Sequence, residues 1–274
     1  MTAAAVLPRP WRAWAIFARV GFINILAFRL RYYTGVVTYL ANVTVYYFIW
    51  KAPYANSAEF AAGFSFPEMV SYVAVGWVIR SVYFNNIDQT MAADVQNGDV
   101  SLILLKPVSA QARYIGQALG EAAFRLILLT TPTAAIIALI FPVQAPASAL
   151  HAAAFAASLL GSVLLSGALN FLVGVAALRM MSILGLLRAK FYVQELLSGL
   201  LVPMTMFPAA AQSVLAWLPF QHVAYTPLRI YLGKLDGVEL AAALALQWFW
   251  AVALLLLGAW GWRVQTLKTT IQGG

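Results

Sequence analysis

Ionisable side chains, among them Arg80, Glu121, Arg125 and Glu195, interrupt several long apolar runs. A charge in such a setting is costly, so it faces protein or water and serves a pathway, a proton relay or a structural pair. Glu121 and Arg125 are four positions apart, a spacing at which side chains meet on one helix face. They form either a self-neutralised packing pair or part of a pathway. Glu195 has no basic residue three or four positions away; Phe191, Tyr192, Ser198 and Gly199 stand there. Arg188 is about 10 Å distant along a helix rising ~1.5 Å per residue. Glu195 therefore needs a partner from elsewhere, a proton or water. Arg188 or Lys190 of a facing subunit and Arg80 are the candidates. Arg80, near one end of its run, is expected to snorkel to the membrane surface. Asn85, Asn86 and Asn170 could line the same cavity as Glu195. Tyr72, Tyr83, Phe84, Phe191 and Tyr192 could line an apolar route that tolerates cations.

Other chemistry is poorly provided for. Cysteine is absent, which excludes disulfides, thiolate catalysis and cysteine metal sites. The two histidines, His151 and His222, are far apart and make no HxxxH or HExxH spacing, so no metal or catalytic role is expected. No apolar run holds a Ser/His or Asp/Asp pair at usable spacing, which speaks against a membrane hydrolase or lipid transferase. No GxxxxGK[ST] loop is present to cradle phosphate. The net charge of +8 comes from basic residues spread over several segments and forms no nucleic-acid patch.

The elements that position these residues are membrane spans. Apolar residues make up 63% of the chain and charged ones 9%, against about 25% charged in soluble domains. A spanning helix needs about 20 predominantly apolar residues. Such stretches fall at residues 32–50, 66–84, 114–141, 148–178, 183–207 and 238–262, the fifth being the weakest. The expected fold is an all-α polytopic membrane protein with six transmembrane helices, residues 1–31 forming a separate N-terminal segment and 32–274 the transmembrane domain. Orientation follows the excess of Lys and Arg on the cytoplasmic side. One side collects Arg9, Arg12, Arg19, Arg29, Arg31, Lys106, Arg113, Arg179, Arg188, Lys190, Arg263 and Lys268. The other has Lys51, Arg229 and Lys234. Twelve against three predicts both termini in the cytoplasm. Arginines at 19, 29 and 31 interrupt any apolar signal-peptide core, so no cleavable leader is expected.

Within this frame three segments are distinctive. Pro10 to Arg31 mixes Trp11, Trp14, Phe17, Phe22 and Phe28 with Arg12, Arg19, Arg29 and Arg31, the composition of a helix lying in the headgroup plane. The cytoplasmic stretch Ile87 to Tyr114 holds Asn97-Gly98-Asp99, a turn signal because Asn and Gly tolerate positive φ. Asp99 is expected to cap a short helix over Val100 to Leu105, ended by Lys106-Pro107, with Ser109 restarting the chain. Such a projecting amphipathic helix suits docking into a soluble partner. Pro208 to Tyr231 carries Pro208, Pro219 and Pro227 and is too apolar for a solvated loop. Irregular backbone at membrane depth must be buried in protein or line a wet cavity, so this stretch is expected to cap an outward gate. Gly116 and Gly120 form a GxxxG, and Ser158, Gly161, Ser162, Ser166, Gly167, Asn170 and Gly174 give the fourth span a small face. Packing within the chain is the expected use of both.

A span followed by "NGDVSLILLKPVS" (Asn97 to Ser109) resembles the first cytoplasmic loop of type-2 ABC transporter permeases, in the bacterial six-span branch without a fused ATPase. "ELLSGLLVPMTMFPAAAQSVLAWLPFQHVAYTPLRIYLGK" (Glu195 to Lys234) resembles the same branch ahead of its last span. The resemblance implies a coupling helix resting on an ATPase subunit, carried here by Asn97, Gly98, Asp99, Leu102, Leu104, Leu105, Lys106 and Pro107. It implies an N-terminal elbow helix and an outer re-entrant helical hairpin, with Pro208, Pro219 and Phe220 at the outer gate. Arg80, Asn85, Glu121, Arg125 and Glu195 are the candidate pathway residues. It further implies two copies of a separate ATPase, which binds ATP and Mg, no cofactor on this chain, and a second permease chain, identical or related. Export of a hydrophobic or amphipathic substrate, a drug or a lipid, across a bacterial inner membrane is the expected activity. The competing expectation is an ion-coupled secondary transporter using Glu195 and Glu121.

Overall fold

The computed structural model of the 274-residue chain describes residues 10–27, 29–55, 59–60, 63–180 and 183–267. Arg9, Phe28 and Lys268 lie outside it. Helix α1 (Pro10–Ala27) is followed by α2 (Arg29–Tyr54), a two-residue antiparallel pairing of Glu59–Phe60 with Phe64–Ser65, and α3 (Phe66–Tyr83). Ser65 starts α3 as its N-cap, Pro67 falls in the first turn where no amide partner is lost, and the Glu68 carboxylate accepts the Ser65 N–H at 2.8 Å. The chain turns at Phe84-Asn85-Asn86 into α4 (Ile87–Gln96) and then α5 (Val100–Leu104). Next comes α6 (Ala110–Arg125), begun by the Ser109 hydroxyl accepting the Ala112 N–H.

Helix α6 runs on through one π-helical turn (Leu126–Thr130) into α7 (Thr131–Ile140). Pro132 explains the wider turn: it offers no N–H, and its ring would crowd the carbonyl one turn back in a regular α-helix. Thr131 and Thr133 hydroxyls donate to the Leu126 and Leu129 carbonyls at 2.7 and 2.6 Å, satisfying acceptors near the turn. Helix α8 (Ala149–Ala176), capped by Ser148, and α12 (Gly237–Thr266) are long and straight-chain apolar. Among the described residues three helical runs are long and apolar enough to cross a membrane: Ala110–Ile140, Ala149–Ala176 and Gly237–Thr266, of mean hydropathy 1.9, 2.0 and 2.2.

Helix α8 is the central post, packed by α12, α11 (Gln221–Tyr231), α4, α6 and α3. Its Leu165, Ala168 and Phe171 are fully buried, as are Met69, Tyr72 and Ile79 of α3 and Val223 and Leu228 of α11. Gln247 of α12 joins three of these elements. Its Nε2 donates to the His222 carbonyl at 2.7 Å and the Ser158 carbonyl at 2.9 Å, and its Oε1 accepts from the Ser158 hydroxyl at 2.7 Å. The small face expected on the fourth span is thus used inside the chain.

Two expectations are corrected. The fifth span does not run from 183 to 207 as one helix. Helix α9 (Leu184–Leu197) has 14 residues, about 21 Å at 1.5 Å per residue, against a hydrocarbon core of about 30 Å. Gly199 adopts φ +79°, and the chain then passes Pro203 into a short 3-10 turn (Met204–Met206). The break is fastened from both sides: the Tyr72 hydroxyl donates to the Gly199 carbonyl, and the Tyr225 N–H to the Ser198 carbonyl at 3.0 Å. Second, α1 is more than a surface anchor. It lies along α6 so closely that a Cβ on Gly120 or Gly21 would overlap the facing carbonyl oxygen of Ala18 or Gln117. Phe22 meets Phe124 edge-on, with ring centroids 5.3 Å apart. The GxxxG of α6 is an intrachain seam. The outer face of α1 leaves Ile16, Val20, Ile23 and Leu26 exposed.

Candidate functional site: the elbow between α3 and α4

Asn85 is buried at the turn that ends α3 and begins α4. Its side-chain amide donates to the Tyr83 carbonyl and the Ser166 hydroxyl, both at 3.2 Å, and its carbonyl oxygen accepts from Asn170 Nδ2 at 2.8 Å. Asn170 Oδ1 in turn accepts from Lys190 Nζ at 2.6 Å, and that ammonium lies 2.7 Å from the Asp88 carboxylate. The Asp88 side chain is 3% exposed, and burial of such a group calls for a partner of the kind Lys190 provides. One polar chain therefore links the elbow, α8 and α9.

Arg80, a turn above the elbow, grips Glu195 of α9. Nη2 and Nε stand 2.6 and 3.1 Å from Oε1, and Nε is 3.4 Å from Oε2. The guanidinium centre sits 5.4 Å from the Trp77 ring centroid and 5.1 Å from that of Phe84. The expectation that Arg80 snorkels is corrected: a guanidinium held by a carboxylate and stacked on two aromatic faces replaces its hydration within the protein. Of the partners considered for Glu195, Arg80 of the same chain is the one the fold supplies. Lys190 is engaged by Asp88.

Two clefts flank the elbow, and Asn85 and Asn86 line both. A cleft of about 380 Å³ opens toward α9, between Phe84, Asp88 and Gln89 on one side and Leu187, Arg188, Lys190, Phe191 and Tyr192 on the other. A cleft of about 330 Å³ opens toward α6, bounded by Asn24, Thr90, Tyr114, Gln117 and Glu121. Glu121 and Arg125 pair along their helix as their spacing requires, with Nη2 3.8 Å from Oε2 and Nε donating to the Glu121 carbonyl at 3.3 Å. The candidate residues thus divide. Arg80, Asn85 and Glu195 come together, while Glu121 reaches the elbow from its other face with Arg125 behind it. Tyr72 and Tyr83 are buried in the core and line neither of these clefts, whereas Phe84, Phe191 and Tyr192 line the one toward α9.

The stretch between α3 and α6, expected to be a cytoplasmic loop, consists mainly of two short helices, α4 and α5. Helix α4 buries Ile87, Asp88, Met91 and Ala92, with Met91 seated on Gly174 of α8. Asp94 ties it to α6, accepting from the Tyr114 hydroxyl at 2.6 Å and lying 3.6 Å from Arg113. Gly98 makes the expected positive-φ turn, at +79°. Asp99 occupies the N-cap of α5, but its side chain makes no capping bond, which corrects the capping expectation. The Ser101 hydroxyl instead donates to the Gly98 carbonyl at 2.8 Å. Val100 and Ile103 anchor α5 inward, and the remaining apolar residues project: Leu102, Leu104 and Leu105 are 57%, 42% and 81% exposed. Asn97, Gly98, Lys106 and Pro107 are exposed beside them.

Ahead of α12, α10 (Ala209–Leu215) and α11 form a helical hairpin. Pro208 precedes α10, and Pro219 and Phe220 form the turn into α11, which buries His222 to Leu228 without a break. His222 Nδ1 bonds the Thr226 hydroxyl at 2.8 Å, and His151 lies between Ser148, Leu235 and Asp236, so each histidine has a structural setting. Sequence reading missed Asp88, Asp94, Tyr114 and Gln247. Their partners stand 19 to 102 positions away, beyond any local spacing signal.

The arrangement is a helical membrane core with a braced pair of short helices, α4 and α5, at one end of α3. The sequence model of the ABC-2 family transporter proteins matches residues 40–273. The chain belongs to that family and is a membrane permease of an ABC transporter. No curated protein and no solved structure shows a match to it.

Proposed function

We propose that this chain is the permease subunit of an exporter for hydrophobic or amphipathic substrates, driven by a separate ATPase that docks on α5. The observation that carries the reading is the exposed tip of Leu102, Leu104 and Leu105 on a base that cannot yield. Helix α4 is clamped to α6 through Asp94 and to α8 through Met91, so force applied at α5 moves the elbow and does not dissipate in a loose loop. Closure of an ATPase dimer on ATP and Mg pushes α5, the elbow at Phe84-Asn85-Asn86 turns, and Asp88 changes its hold on Lys190. Helix α9, of which no residue is buried, shifts and opens the larger cleft.

In this reading both termini are cytoplasmic, the membrane is a bacterial inner membrane, and a second permease chain faces the first. The stretch 183–207 enters the bilayer as α9 and is completed by the broken segment at Gly199. The α10–α11 hairpin caps the outer gate at Pro208, Pro219 and Phe220. Both acids that an ion-coupled transporter would use are engaged by arginine, Glu195 by Arg80 and Glu121 by Arg125, so no observation favours that alternative. The test is affinity purification of the chain in mild detergent from its host. Co-elution of an ATPase with a GxxxxGK[ST] loop, lost in Leu105→Asp at unchanged expression, supports the reading; a repeatedly clean preparation under gentle crosslinking overturns it.

A further inference from the structure

We infer that the cleft between the elbow and α9 binds the acidic head of an amphiphile, with Arg188 as the recognising cation. The inference rests on the permease reading and names the substrate class for it. Three charged side chains line this cleft: Asp88, Lys190 and Arg188. Asp88 and Lys190 neutralise one another at 2.7 Å, and Lys190 spends a second donor on Asn170. Arg188 makes no ion pair or hydrogen bond among the described residues and is exposed on the cleft wall. The cleft therefore carries one uncompensated positive charge.

A cationic ligand finds little here. Glu195, on the same helix as Arg188, is held by Arg80, and the Phe84 ring is already stacked on that guanidinium. An anion finds Arg188, whose planar donors match a carboxylate or phosphate. It also finds the carboxamides of Asn86 and Gln89 on the opposite wall. Leu187, Phe191 and Tyr192 supply an apolar surface for a hydrocarbon chain, and a volume of about 380 Å³ falls in the range that holds small ligands. The route tolerant of cations expected from the aromatic residues thus becomes a site selective for acids. The shared chemistry is a carboxylate or phosphate on a hydrocarbon chain, whether a bilayer lipid or a free acid.

Titration of the purified full-length chain in non-ionic detergent, read by native mass spectrometry, tests this. The probes are oleate, oleylamine, dioleoylphosphatidylglycerol and dioleoylphosphatidylcholine. At least one acid is expected to bind about tenfold more weakly to Arg188→Gln than to the parent, the share of one charge-assisted hydrogen bond. Arg188→Lys is expected to retain part of that affinity, and Arg263→Gln, a surface cation away from the cleft, all of it. A loss confined to phosphatidylglycerol identifies a bilayer lipid as the source; a loss seen with oleate alone identifies a free acid. Equal affinity of both acids for the parent and Arg188→Gln overturns the inference, as does oleylamine binding more tightly than oleate. A chain that binds acids through Arg188 but brings down no ATPase leaves this site standing and removes the exporter reading.

Discussion

At the scale of single residues, the molecule solves one problem in two ways: how to keep a charge or an amide inside an apolar body. Arg80 and Glu195 do it by pairing, with side chains 15% and 16% exposed. Removing one member leaves the other without its counter-charge, so Arg80→Ala is expected to cost about 2 kcal/mol, less than in a fully buried pair. Replacing both, as Arg80→Met with Glu195→Met, recovers most of that loss; thermal unfolding in detergent across the four proteins of the cycle measures it. Gln247 does it by saturation, with every side-chain polar atom bonded. Gln247→Leu removes the bonds that Gln247 makes to the Ser158 hydroxyl and to the Ser158 and His222 carbonyls at once and is expected to lower stability by about 2 kcal/mol. A melting temperature equal to the parent's would show that water enters in its place.

At the scale of elements, close approach and interruption matter most. Helices α1 and α6 touch because Gly21 and Gly120 leave no side chain between them. Gly120→Val is expected to push α1 off its seat and expose the segment before Ala27 to limited proteolysis, while the α8–α12 core persists. Where α9 breaks, Gly199 holds a left-handed backbone at φ +79°, and a Cβ there would come 2.7 Å from that of Tyr225. Gly199→Ala combines that overlap with about 1–2 kcal/mol of backbone strain, and an unfolding scan in detergent should show the fall. A helix that ends at Leu197 and is sparsely packed along its length moves with little disruption of neighbours, as the proposed mechanism requires.

At the scale of the whole molecule, the arrangement is a central post, α8, with the braced α4–α5 pair and a sparsely packed helix, α9, beside it. Leu105 is 81% exposed, so Leu105→Asp should abolish ATPase association with no change in melting temperature. A simultaneous fall in melting temperature would assign Leu105 a folding role instead. The absence of cysteine makes the six-span expectation directly measurable. Gly98→Cys should react with an impermeant maleimide only from the cytoplasmic side and Asp236→Cys only from the outside. Labelling of both from one side would overturn the topology.

The sequence by itself determined the apolar helical class, the placement of most long helices and the local devices. Helix α3 runs Phe66–Tyr83 against an expected 66–84, α8 runs Ala149–Ala176 against 148–178, and Gly98, Ser109 and the Glu121–Arg125 pair behave as their spacing requires. These depend on hydropathy, on φ preference and on helix periodicity, all of which are encoded within a few residues. Tertiary structure alone decided that Arg80 meets Glu195, that Asp88 meets Lys190, that Tyr72 and Tyr225 fasten the break in α9, and that α1 lies on α6. The physical reason is that a lone charge or glycine in an apolar run states a need for a counter-charge or a close neighbour. Only the packing of helices far apart in the chain selects which residue meets that need.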